Sequence, residues 1–195
     1  METKIENKIY KSEKKESKHL TKEYEYENEN ENENENDINN EDIYENNLFS
    51  QITNLIKNSK ERLCWHEYFM SIALLASCRS PCQRLNVGCV IVKDKRIISM
   101  GYNGFISGAE HKSFIRDGHE KATVHSEINA ITDCAKRGVS LNNSKIYITH
   151  YPCLDCFKSI ASSGIKNIIY LDDYRNDKLV EELNKDINIP ITKLK

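Results

Sequence analysis

Between Leu63 and Cys78 the apolar residues Leu63, Tyr68, Phe69, Ile72, Leu75 and Ala76 recur at helical spacing in RLCWHEYFMSIALLASC. That pattern predicts a helix packed by one face on something flat. The period then shortens. VGCVIV and RIISMGY are β-branched runs separated by the polar KDK, which predicts a hairpin. A loop rich in Gly and polar residues is expected from Asn103 to Lys121. A helix beginning near His125 should run to Arg137 and stop at Gly138, a residue suited to a left-handed helix end. KIYIT predicts a strand, Pro152 a turn, and CLDCFKSIASS a helix ending at Gly164. NIIYL, DKLVEELNK and INIPI add a strand, a helix and an edge strand, where Pro190 is tolerated. The order, a helix and a hairpin followed by strand and helix in alternation, predicts an α/β chain. Its fold class is a mixed central β-sheet sandwiched between helices, in three α/β/α layers. No internal repeat is visible.

Ahead of Leu48 this pattern disappears. Residues 23–36 read EYEYENENENENEN and offer almost nothing apolar to bury. Residues 1–47 carry 7 Lys against 15 Asp and Glu, a net −8, while the remaining 21 basic and 15 acidic residues give +6. A total of −2 therefore hides an acidic arm on a basic body. Like charges repel and nothing apolar offsets the cost of ordering, so residues 1–47 are expected to be a disordered, low-complexity arm, with the folded domain over 48–195. The arm reads either as an interaction segment or as an expansion with no specific role. It has no apolar run, so it predicts neither a signal peptide nor a membrane span. The +6 of the body suits a phosphate-bearing substrate or a single nucleic-acid strand and does not decide between them.

Seven cysteines, at 64, 78, 82, 89, 134, 153 and 156, change the picture further. The number is odd, no secretion signal accompanies them, and several fall inside apolar segments. Reduced thiols in a cytoplasmic protein, with a metal site among them, fit this usage better than a disulfide scaffold.

Two helix starts follow directly on loops. One bears His125 and Glu127, the other Cys153 and Cys156. Thiolates at a helix N-terminus are stabilised by the dipole and by free backbone N–H groups. Cys-x-x-Cys on a first turn spans one ion well, and one nitrogen with two sulfurs is a zinc ligand set. Three protein ligands leave the fourth tetrahedral position open, which marks a catalytic zinc able to acidify a water. Glu127, beside the metal rather than on it, can then move protons. A four-ligand structural knot completed by His150 or Cys134 would leave Glu127 and Pro152 without a purpose. A redox Cys-x-x-Cys would leave His125 and Glu127 without one.

His125-Ser126-Glu127 followed by Pro152-Cys153-Leu154-Asp155-Cys156 is the signature of zinc-dependent nucleobase deaminases. Over roughly Cys64 to Lys185 the chain resembles the deoxycytidylate (dCMP) deaminase family, of cytidine deaminase-like fold. Beyond the zinc motifs the likeness lies in WHEYFM, CRSPCQRLNVGCVIV, GYNG (Gly101 to Gly104) and HYPCLDCFKSIASSGIKNIIY. The resemblance implies that His125, Cys153 and Cys156 hold zinc, that Glu127 is the catalytic proton shuttle, and that Asn103 contacts sugar and base. Arg79 and Arg84 become candidates for the 5′-phosphate, since a guanidinium fork suits phosphate oxygens. Tyr174 matches a family tyrosine near the nucleotide. Solvent-exposed arginines and a partly buried loop aromatic are the plainer readings of these three. Ser126 departs from the family, where alanine is usual. Cys82, His111 and His119 are available for a second, structural zinc, but a fourth ligand is not evident. His66 and His150 read as structural or surface histidines.

The implied reaction is the hydrolytic deamination of dCMP to dUMP and ammonia. The alternative is a deaminase acting on cytosine or adenine in single-stranded nucleic acid or tRNA, which needs an open groove with stacking aromatics and many phosphate contacts. The acidic arm and a modest charge excess speak against nucleic acid. A dead binding module would show a broken H-x-E or a missing cysteine, and neither is seen. The resemblance also implies a homo-oligomer and dCTP and dTTP as effectors, with no membrane partner.

Overall fold

In the computed structural model of the chain, residues 47–117 and 119–195 are described. The chain divides into two units, Met1–Lys60 and Glu61–Lys195. The acidic arm expected over 1–47 lies, but for Asn47, outside the described residues. In the first unit, Asn47 caps helix α1 (Leu48–Asn58) by accepting from the Ser50 N–H at 2.8 Å. α1 adds to the elements that periodicity predicts.

In the second unit, helix α2 (Trp65–Ser77) begins with a reciprocal cap. The Cys64 sulfur accepts from the Glu67 N–H, and the Glu67 carboxylate accepts from the Cys64 N–H at 2.6 Å. The hairpin is present as β1 (Gly88–Lys93) and β2 (Arg96–Tyr102), turned by Asp94 and Lys95 at φ 50° and 59°. Positive φ at both central residues is the type I′ geometry whose twist matches paired strands. The polar loop that follows carries two small antiparallel pairs. β3 (Gly104–Phe105) faces β6 (Thr123–Val124), and β4 (Ile115–Arg116) faces β5 (His119–Glu120). Strands of two residues have no period to read, so these pairs are invisible in the sequence.

Helix α3 (Ser126–Arg137) ends at Gly138, in the left-handed conformation at φ 66°. β7 (Lys145–His150), α4 (Leu154–Ser162), β8 (Asn167–Asp172), α5 (Lys178–Ile187) and the edge strand β9 (Ile191–Lys193) complete the chain. The strand order is β2-β1-β7-β8-β9, antiparallel around β1 and parallel from β7 to β9. The sheet is mixed, as expected.

Alternation along the central strands sorts side chains into two cores. Val90, Val92, Tyr147 and Ile169 meet Phe69, Met70 and Ala73 of α2 on one face. Cys89, Ile91, Ile146, Ile148 and Ile168 meet Ala130 and Cys134 of α3, Phe157 and Ile160 of α4, and Val180 of α5 on the other. This is the three-layer α/β/α arrangement. Among the described residues no helix is long and apolar enough to cross a membrane.

Candidate metal centre and active site

The site lies at one end of the sheet. β7 and β8 are parallel and finish together at His150 and Asp172. Gly88, where β1 begins, pairs with Tyr102, where β2 ends. The loop residues Asn103, Tyr151 to Cys153 and Asp173 to Tyr174 therefore leave the sheet at the same edge. Crevices beyond the carboxyl ends of parallel strands are where α/β sheets bind ligands.

α3 is seated on this end by close backbone packing. A Cβ at Gly101 would lie 2.3 Å from the Ser126 carbonyl oxygen and 2.9 Å from the Ala130 nitrogen, so only glycine lets the helix start rest against β2. The Ser99 hydroxyl reaches the Ala130 carbonyl at 3.0 Å and the Asp133 carboxylate at 2.8 Å, and the Asn129 amide donates to the Tyr102 carbonyl at 2.7 Å. The buried Cys89 thiol donates to the Ser126 carbonyl at 3.2 Å. His125 is the N-cap residue of α3 and Cys153 that of α4; neither side chain caps its helix. Both are thus turned to other partners.

Those partners are each other. His125 Nδ1 stands 3.5 Å from Cys153 Sγ and 3.4 Å from Cys156 Sγ. A zinc tetrahedron with Zn–S of about 2.3 Å and Zn–N of about 2.05 Å has N···S edges of about 3.5 Å. The three donors therefore fit one zinc with a fourth corner to spare. Among the described residues they form the one group of His, Cys and acidic side chains whose ligand atoms converge, all within 4.8 Å of one another. Without metal the two thiols share a proton. Cys156 donates to Cys153, which pulls the Cys153 thiol down to about 4 and pushes Cys156 up, and the Cys153 sulfur raises the His125 imidazole. A donor set so ready to hold negative charge suits a divalent cation.

Glu127, in the first turn of α3, is 4% exposed. Burial raises its carboxyl pKa, opposed by its own backbone N–H and by the Ser126 hydroxyl, which donates at 2.8 Å. It also lies against the Cys156 thiol. A buried carboxyl beside a metal position can take a proton and hand it on.

The remaining sequence-predicted residues divide. Arg84 and Tyr174, 90 positions apart, come together: an Arg84 N–H donates to the Tyr174 hydroxyl, with the guanidinium carbon 5.9 Å from the ring centre. Asn103 is buried and largely occupied. Its side-chain oxygen accepts from Val87 N–H at 2.8 Å and Ser80 O–H at 2.7 Å, and its amide donates to the Leu85 carbonyl at 2.8 Å. It thus holds the segment that carries Arg84. Arg79 is exposed after α2, and among the described residues its guanidinium has no hydrogen-bond or ion-pair partner.

Of two neighbours of Tyr174, Arg175 was not singled out by pattern and His150 was read as a structural or surface histidine. Arg175 stands 5.8 Å from the ring centre, and His150 meets it edge-on at 6.1 Å. Adjacency to Tyr174 and to the Pro152-Cys153 turn was the available signal. His66 lies elsewhere, on the α2 face, 3.2 Å from the Tyr147 hydroxyl. Of the residues considered for a second metal, His111 stacks on Phe105 and the Cys82 N–H donates to Ser80.

Comparison with known proteins agrees with this geometry. Residues 63–172 match the family described as cytidine and deoxycytidylate deaminase zinc-binding region. ComE operon protein 2 of Bacillus subtilis (strain 168) is 43% identical over 135 residues, which cover 67% of this chain and 71% of that protein. The deoxycytidylate deaminase of Saccharomyces cerevisiae is 32% identical over 161 residues, 75% of this chain and 51% of the enzyme, so the chain spans about half the length of that relative. A crystal structure of dCMP deaminase from the cyanophage S-TIM5, in complex with dCMP and dUMP, superposes with a TM-score of 0.60. It is 34% identical, covering 66% of this chain and 95% of that one. Sequence match, fold and donor set agree, and the chain belongs to the cytidine and deoxycytidylate deaminase family.

Proposed function

We propose that the chain is a zinc-dependent hydrolase that converts dCMP to dUMP and ammonia. The observation that carries this reading is the buried Glu127 carboxyl beside three donors spaced for a zinc with an open corner. Relatives named for deoxycytidylate deamination, one of them seen with dCMP and dUMP, supply the substrate.

His125, Cys153 and Cys156 would hold zinc, which when bound would supply the Lewis acidity that makes a water nucleophilic near neutral pH. Glu127 takes a proton from the attacking water and delivers it to N3 of the cytosine as the C4–O bond forms. It then carries the second proton to the amino nitrogen. The C4–N bond breaks, ammonia departs, and C4 becomes the carbonyl of uracil. Burial serves this relay, because a carboxyl shifted upward shares protons with the substrate more evenly than one that is always ionised. Asn103 keeps one amide hydrogen after its contact to Leu85 and is read as the group that orients sugar and base. Arg84 and Arg79 are read as grips for the 5′-phosphate, with Tyr174 beside it. The family resemblance supports a homo-oligomer responsive to dCTP and dTTP. The seven unpaired thiols suit a reducing cytoplasm.

The test is ammonia release from dCMP, CMP, deoxycytidine and a cytosine-bearing oligonucleotide, with Glu127→Ala as control. The expected result is turnover of dCMP far above the rest. Glu127→Ala should bind zinc normally and lose at least about 10²–10⁴-fold in rate. Turnover confined to the oligonucleotide would sink the reading, as would near-normal activity of Glu127→Ala.

A further inference from the structure

The fold gathers more around the Tyr174 ring than a pair of predicted residues. Arg84 arrives from the segment after α2, His150 from the end of β7, and Tyr174 and Arg175 from the loop after β8. Two guanidinium carbons stand 5.9 and 5.8 Å from one ring centre, and an imidazole meets that ring edge-on at 87°. The loop that carries Tyr174 and Arg175 is braced rather than loose. Asp173 accepts from the Asn176 amide at 2.8 Å and from Tyr170 O–H at 3.1 Å, and pairs with Lys193 of β9. The Tyr174 N–H in turn donates to the Asn176 side-chain oxygen at 3.0 Å.

The Thr149 hydroxyl meets the His150 ring at Nδ1. The buried hydroxyl oxygen accepts from the Gly88 N–H at 3.1 Å and lies 2.9 Å from His150 Nδ1. A hydroxyl that already accepts has one hydrogen to give, and Nδ1 is within its reach. With that hydrogen given to Nδ1, the neutral ring carries its own hydrogen on Nε2. Burial lowers the pKa of this imidazole, against the raising effect of Asp172, and so favours the neutral ring.

A phosphate monoester is close to a dianion near pH 7. The guanidinium groups of Arg84 and Arg175 offset its charge, and a neutral N–H adds geometry without adding charge. We propose that His150 is a specificity-determining residue of the nucleotide site, its Nε2–H donating to the 5′-phosphate that Arg84 and Arg175 neutralise on either side of the Tyr174 ring. Neither His150 nor Arg175 is part of the zinc chemistry, and the inference rests on the dCMP reading above.

The experiment compares kcat/KM for dCMP with kcat/KM for deoxycytidine in the full chain, His150→Ala, His150→Gln and Arg175→Ala, each checked for zinc content. A hydrogen bond to a charged acceptor is worth about tenfold to a hundredfold. The dCMP/deoxycytidine ratio should fall by that factor in His150→Ala and Arg175→Ala, mostly through KM. His150→Gln, whose amide N–H can occupy the Nε2 position, should recover most of it. Binding of dUMP against deoxyuridine, measured by calorimetry, should show the same loss. If His150→Ala depresses both substrates equally, or glutamine restores nothing, the assignment of His150 is overturned while the preference of the unaltered chain for dCMP still stands. If the unaltered chain shows no such preference, the dCMP reading fails and the phosphate role with it.

Discussion

Gly101→Ala tests whether the active site depends on the seat of α3 against β2. The added Cβ would stand 2.3 Å from the Ser126 carbonyl oxygen, where real contacts are not closer than 3.0 Å, so at least 0.7 Å of separation must be found. The clashing atoms are backbone and cannot rotate away. Nor can the helix slide freely, because Ser99 and Asn129 tie it to β2. Overpacking of this kind costs about 1–3 kcal/mol. A domain of this size loses about 4 °C in Tm per kcal/mol, so the midpoint should drop by about 4–12 °C. The displaced segment carries His125 and Glu127, and a misplacement near 1 Å is enough for a rate loss of about 10²-fold. Thermal unfolding, zinc content and ammonia release from dCMP would be followed together. Gly104→Ala is the control for stability, since the atoms nearest its Cβ would belong to the Tyr102 and Pro81 side chains, at 3.5 and 3.6 Å. A Gly101→Ala protein with unchanged Tm and full activity would refute the view that this contact sets the site.

Two further outcomes follow from the same geometry. Once zinc is removed by chelation, Cys153 should be a thiolate at any pH above about 4, because the Cys156 thiol donates to it. Iodoacetamide should then label Cys153 well below neutral pH, fading as pH falls through about 4, and zinc should protect it; labelling that begins only above pH 8 would contradict this. Asn103→Ala should cost about 1–3 kcal/mol by leaving the Val87 N–H without its partner. It should also raise KM for dCMP by loosening the Arg84 segment; an unchanged urea midpoint would show that Asn103 does not hold it.

Much of the architecture was readable because it is local. Helical spacing located α2, alternation and β-branching located the strands, and Gly138 marked the end of α3. Cys-x-x-Cys on a helix start was equally legible, since the reach of one helical turn is set by covalent geometry. The pairs β3/β6 and β4/β5 were not, because two residues carry no period. Asn103 was read as a substrate contact from resemblance; that its side chain also braces the segment from Ser80 to Val87 depends on atoms 16 to 23 positions away.

The sequence by itself determined which residue types could hold zinc and which segments would be helix or strand, because periodicity and helix-start chemistry act over a few residues. Only the tertiary structure decided that His125 would meet sulfurs 28 and 31 positions later, and that Arg84 and His150 would share the Tyr174 ring. Those meetings follow from β1 pairing with both β2 and β7, and from β7 and β8 running parallel to a common end. Strand partners are chosen by burying two faces of one sheet at once, and that choice belongs to the whole chain rather than to any stretch of it.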